Sequence, residues 1–123
     1  GARRALKLAV SIAAHSPLMS TSAAEFREAL AQTEFHAPQI PVYDNVTAAP
    51  LTDADSIRQA LGAQLTSPVR WRESVANMIA AGAETFVEIG PKDVLTGLLK
   101  RIDGTKTGVN LNTHASLSEF IAR

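Results

Sequence analysis

The sequence predicts an α/β fold built on a largely parallel sheet. Two observations carry that expectation. Apolar residues alternate over residues 6–12 and cluster over 85–89, in short runs of strand length. Elsewhere they recur every three or four residues, as on one face of a helix. Read in order, the elements run strand, helix, strand, helix, helix, strand, helix, strand, helix, and such alternation lays helices across parallel strands.

The first strand is Leu6-Lys7-Leu8-Ala9-Val10-Ser11-Ile12, ending near Ala14. Ser16-Pro17 opens a helix, because serine caps and proline at the first helical position loses no useful N–H. Met19, Ala23, Phe26 and Leu30 share its face, and it runs to about Gln32. Pro38 and Pro41 border an extended stretch over residues 40–46, and Pro50 marks a turn. Asp53 is placed to cap a helix carrying Ile57, Leu61 and Leu65. Ser67-Pro68 repeats the Ser-Pro start for a helix that buries Trp71, Val75, Met78 and Ile79 and stops at Gly82. A strand over residues 85–89 leads through Gly90-Pro91 to a helix with Val94, Leu95, Leu98, Leu99 and Ile102, ending near Gly104. Residues 108–111 form a last strand. Ser116-Leu117-Ser118-Glu119 is a capping-box pattern for a terminal helix.

Composition narrows the function classes. A chain of 123 residues is one modest domain or part of a larger one. Twelve basic residues balance twelve acidic ones, so no global field draws it to nucleic acid or an anionic membrane. The chain has no cysteine, hence no disulfide, thiolate nucleophile or cysteine zinc site, as suits a reducing cytoplasm. No apolar run nears the roughly 20 residues that span a bilayer. The chain opens on Gly1 rather than Met, which points to a processed chain or a piece of a longer one.

Of three histidines, His15 has the position for chemistry. It falls between a strand end and a helix start, and parallel sheets place functional groups beyond the carboxyl ends of their strands. Its small neighbours Ala13, Ala14 and Ser16 leave the ring accessible. A neutral imidazole can take a proton from a nucleophile and return it to a leaving group. The plainer alternative is a loop histidine satisfied by backbone. Ser16 is a poor nucleophile for it, since adjacent residues do not face each other on strand or helix, and it is better used as a cap. No G-x-S-x-G elbow occurs in the chain. His36 and His114 read as surface residues. Gly90-Pro91-Lys92 opens a helix whose free N–H groups could receive an anion, although a Gly-Pro turn is more often structural. In Arg70-Trp71-Arg72 the indole reads as core and the arginines as solvated flanks. Asp53 and Asp55 read as cap and first-turn residues, not a metal pair.

Read together, four segments resemble one family. Val10-Ser11-Ile12-Ala13-Ala14-His15-Ser16-Pro17-Leu18-Met19 resembles the histidine motif of malonyl-CoA:acyl carrier protein transacylases and polyketide-synthase acyltransferase domains. Pro41-Val42-Tyr43-Asp44-Asn45-Val46, then Gln64-Leu65-Thr66-Ser67-Pro68-Val69-Arg70-Trp71, then Glu88-Ile89-Gly90-Pro91 with Val94-Leu95-Thr96-Gly97-Leu98, follow in family order.

The resemblance implies the carboxy-terminal part of an α/β-hydrolase-like acyltransferase core, preceded by the last strand of a ferredoxin-like small subdomain. Residues 1–14 would be that strand and residues 15–123 the core portion. It implies transfer of a malonyl or related acyl group from coenzyme A to the phosphopantetheine thiol of an acyl carrier protein, through an acyl-serine. No bound cofactor or metal is implied, and neither nucleic acid nor membrane is an expected partner. The expected partners are the serine-bearing amino-terminal part of the enzyme, the coenzyme A thioester and the phosphopantetheinylated carrier protein.

By the same resemblance His15 is the general base and acid. Gln64 matches the residue whose main-chain carbonyl accepts from the histidine Nδ1–H, in place of a triad aspartate. Gln64→Ala is then expected to be mild. Ala14 and Ser16, on either side of the histidine, match positions beside the acyl pocket. The family's G-H-S-x-G serine, its oxyanion-hole glutamine and its malonyl-binding arginine all precede this chain's start in family order. Lys92 stands where the family usually has a second glycine after Gly-Pro. Such a chain is expected to be inactive and to self-associate without the missing part. The alternatives are a catalytically inactive docking module for a carrier protein or synthase partner, and an unrelated α/β binding module.

Overall fold

The computed structural model describes Ala5, Leu6 and residues 11–122. It is a mixed α/β structure that divides into two compact units, Gly1–Arg70 and Trp71–Arg123. Most of the expected first strand lies outside the described residues, and residues 11–13 are not in a strand. The expected boundary at 14/15 adjoins that stretch.

In the first unit Ser16 does cap a helical start, accepting from Leu18 N at 3.3 Å. The first turn, Pro17–Met19, is 3₁₀, and α1 proper spans Ser20–Ala31 with Gln32 at its carboxyl cap. Ala23 and Leu30 are buried on the expected face, whereas Phe26 is 37% exposed. Extended structure is shorter than predicted: β1 is only Val42–Tyr43. Pro50 is not a turn residue but begins β2, Pro50–Leu51, which pairs antiparallel with β1. Proline fits because so short a ladder needs few donors.

The reversal between β1 and β2 is made by Asp44, whose carboxylate accepts from Thr47 N at 2.7 Å and Thr47 Oγ1 at 2.9 Å. Asp44 is only 6% exposed. Burial pushes its carboxyl up, but the N–H groups of Val46, Thr47 and Asn45 and the Thr47 hydroxyl together hold it below the usual range.

Helix α2 spans Ala54–Gln64 behind the Asp53 cap. The cap is reciprocal: Ser56 N donates to Asp53 Oδ1 at 2.7 Å and Asp53 N donates to Ser56 Oγ at 3.2 Å. Helices α1 and α2 pack antiparallel. Gly62 is buried at the contact, where a Cβ would stand 3.4 Å from Arg27 Cγ and 3.9 Å from Leu30 Cδ1. Arg58 reaches from α2 to the other end of α1 and donates to Leu30 O at 3.4 Å and Thr33 O at 3.5 Å. A cation there meets the negative end of the α1 macrodipole.

Ser67-Pro68 does not start the next helix. Ser67 N donates back to Ala63 O at 3.1 Å, as does Thr66 N, so these residues finish α2 instead. The second unit begins with α3, Trp71–Ala80. It ends as predicted at Gly82, whose φ of 100° allows Gly82 N to donate to Ile79 O and Ala83 N to Met78 O, both paired as in a Schellman cap.

Strand β3, Thr85–Ile89, and strand β4, Thr107–Leu111, pair in parallel from Thr85↔Thr107 to Ile89↔Leu111. The crossover is α4, Val94–Ile102, which packs on both strands. Gly108 allows its close approach, since a Cβ there would stand 2.7 Å from Thr96 Cγ2. Val75, Leu99 and Leu111 form the buried core, each contributing roughly 1.5–3 kcal/mol by leaving water. The terminal helix α5, His114–Ile121, starts earlier than predicted. Its capping box joins Thr113 to Ser116, so Ser116 is the third helical residue rather than the cap.

Candidate active site

His15 stands at the junction that leads into α1, with φ of 63°. Non-glycine residues rarely adopt this conformation, and histidine is among those that tolerate it best. The ring is exposed. Its Nδ1 lies 2.9 Å from the main-chain oxygen of Gln64, the last residue of α2. The antiparallel α1–α2 pair brings them together: the start of one helix lies against the end of the other, held in register by Gly62 and Arg58.

The carbonyl is available for a physical reason. A helix leaves its last four C=O groups without intrahelical partners, and they carry the negative end of the macrodipole, about half an elementary charge. With Nδ1–H donating to this oxygen, Nε2 keeps its lone pair and can accept a proton. The Gln64 side chain is also close, with Nε2 3.4 Å from His15 Nδ1. A cavity of about 530 Å³ borders Gln64 and is lined chiefly by Val42, Tyr43, Asn45, Ile57 and Leu61.

The other residues singled out in the sequence take no part in this hydrogen bond. The Ser16 hydroxyl is committed to its own turn, donating to Ala13 O at 2.8 Å while it caps Leu18 N. Ala14 is exposed beside the histidine. Asp55 pairs with Arg58 at 2.8 Å within α2. Arg70 and Arg72 are exposed on either side of Trp71, and Arg70 also ties down the preceding loop: Nη1 donates to Val46 O at 3.3 Å and Thr47 O at 3.1 Å, and its N–H donates to Asn45 O at 2.9 Å. Trp71 is partly buried, and its Nε1 is enclosed with no hydrogen-bond partner among the described residues. His36 is exposed near Glu34, 3.8 Å away, and His114 is the first, exposed residue of α5.

The amino end of α4 is not an open anion site. The Glu88 carboxylate fills it, accepting from Leu95 N at 3.1 Å, Thr96 N at 2.8 Å and Thr96 Oγ1 at 2.7 Å. The Thr96 hydroxyl and N–H, with Leu95 N–H, outweigh burial and hold this carboxyl below the usual range. Sequence reasoning missed this cap because it comes from the preceding strand. Asp93, at the N-cap position itself, makes no side-chain cap bond. Lys92 keeps the left-handed backbone expected of the glycine it replaces, with φ of 70°. Asn110 Nδ2 pins its carbonyl at 2.5 Å.

Among the described residues, no group of three or more His, Asp or Glu is placed to hold a metal, and no helix is long and apolar enough to cross a membrane.

Residues 1–119 match the acyl transferase domain family. The malonyl CoA-acyl carrier protein transacylase of Salmonella typhimurium is 48% identical over all 123 residues, which correspond to 40% of its length. An acyl carrier protein S-malonyltransferase from Vibrio cholerae superposes with a TM-score of 0.91 at 51% identity, over 98% of this chain and 39% of that one. A malonyl-transacylase solved in complex with its holo type II PKS acyl-carrier protein gives a TM-score of 0.91 at 45% identity, over 96% and 38%. The chain thus spans about 40% of the length of the curated relatives it matches.

Proposed function

The chain belongs to the acyl transferase domain family, and on that premise we propose that it forms the histidine-bearing, carboxy-terminal part of an enzyme that moves a malonyl group from coenzyme A to the phosphopantetheine thiol of an acyl carrier protein. Residues 1–14 complete a small subdomain and residues 15–123 belong to the catalytic core. The nucleophilic serine comes from the part of the family sequence that precedes this chain.

The observation that carries the reading is the 2.9 Å approach of His15 Nδ1 to the Gln64 carbonyl oxygen. A ring that donates through Nδ1 has Nε2 free to take the serine proton as the serine oxygen bonds to the thioester carbon. Collapse of the tetrahedral adduct breaks the C–S bond, and the imidazolium gives that proton to the departing thiolate. In the second half the carrier thiol yields its proton to His15 and attacks the ester, and the proton returns to serine. The helix-end carbonyl steadies the imidazolium with a partial charge rather than the full charge of an aspartate. Ala14 and Ser16 border the acyl group, with no bound cofactor in the cycle.

The test is His15→Ala in the enzyme completed by its serine-bearing part. Malonyl transfer to carrier protein should fall by about 10²- to 10⁴-fold, the usual worth of a positioned base. Near-normal turnover would overturn the assignment.

A further inference from the structure

We propose that the side chain of Gln64 is a second positioning arm on His15, acting against the main-chain carbonyl of the same residue. The inference rests on the reading of His15 as the base. Both groups converge on one atom: the main-chain oxygen is 2.9 Å from His15 Nδ1 and the carboxamide Nε2 is 3.4 Å from it. The carbonyl is only an acceptor and the NH₂ group is only a donor. The first therefore favours the tautomer with hydrogen on Nδ1, and the second favours the tautomer with a lone pair there.

In this structure the NH₂ end of the amide faces Nδ1, so the arm can bond the ring only when Nδ1 carries a lone pair. The shorter contact has ordinary hydrogen-bond geometry and the longer lies at its limit, so the Nδ1–H tautomer dominates. The carboxamide narrows its margin. It holds a minority of rings with hydrogen on Nε2, where they cannot take a proton from serine, and it gives the ring a partner in either state.

Imidazole ¹⁵N shifts and ring ¹H–¹⁵N couplings of His15, recorded on the neutral ring in the completed enzyme, report the two tautomers directly. Gln64→Met keeps the length of the side chain and removes the donor. The ratio of Nδ1–H to Nε2–H forms should rise about two- to fivefold, with turnover rising no more than about twofold, in line with the modest worth of a marginal hydrogen bond. Gln64→Glu turns the arm into a pure acceptor and should shift the ratio the same way, which covers a packing defect specific to methionine. An unchanged or lowered ratio in both variants overturns the proposal. Loss of the catalytic reading would appear separately, as retained turnover in His15→Ala with the tautomer shift intact.

Discussion

Glu88 on β3 and Thr96 on α4 are joined by two hydrogen bonds, Thr96 N to Oε2 at 2.8 Å and Thr96 Oγ1 to Oε2 at 2.7 Å. The strand thus carries the amino-terminal cap of the helix that follows it. Because the cap spans two elements, removing it should loosen the β3–α4–β4 unit rather than fray one helix turn. Glu88→Ala should lower the melting temperature more than Glu88→Gln, which keeps an acceptor but loses the charge. Equal melting of wild type and Glu88→Ala would refute this role.

Lys92 occupies the left-handed region at φ of 70°. A non-glycine residue loses about 1–2 kcal/mol there, while glycine costs about 0.5–1 kcal/mol more unfolded-state entropy. Lys92→Gly should therefore stabilise by about 0.5–1 kcal/mol in urea denaturation. Destabilisation would mean that the lysine side chain matters more than its backbone.

At Gly108, β4 lies close against α4. A Cβ would stand 2.7 Å from Thr96 Cγ2 and 3.3 Å from Leu99 Cδ2. Gly108→Ala should destabilise by about 1–3 kcal/mol through overpacking. Thr96→Ser removes the clashing methyl and keeps the hydroxyl on Glu88, so the double variant should recover part of the loss. Strict additivity of the two changes would contradict the contact.

Four carboxyls, on Asp44, Asp53, Glu88 and Asp103, are held below their ordinary values. For Asp53 the leading cause is the Ser56 N–H, and for Asp103 the Thr105 hydroxyl. A lowered folded-state value means that the unfolded chain binds protons first as pH falls. Their contribution is therefore fully present above the ordinary carboxylate values of about 4 and is lost as pH drops through the folded-state values. Urea midpoints should hold level from neutrality to about pH 5 and fall below it. Asp44→Asn should flatten that fall; a midpoint higher at pH 3 than at pH 7 would show the sign to be wrong.

Much of this chain is legible without coordinates, where local chemistry decides. Asp53 reads as a helix start and Gly82 as a helix stop, because cap and left-handed carboxyl end are set by neighbours in sequence. The apolar run at residues 85–89 reads as a strand for the same reason. Local signals misled at Ser67-Pro68, whose backbone completes the preceding helix, and at Pro50, where a short ladder tolerates the proline.

Sequence by itself determined the helices, the β3–α4–β4 alternation and the family motifs around His15. Only the tertiary structure decided what those residues touch. The meeting of His15 with Gln64, 49 positions apart, depends on two helices packing antiparallel over a buried glycine. The capping of α4 by Glu88 depends on a strand lying beside it. Both join a group that a helix end leaves unpaired to a residue on a different element, 49 positions away in one case and eight in the other, and no periodicity along the chain encodes which partner will satisfy it.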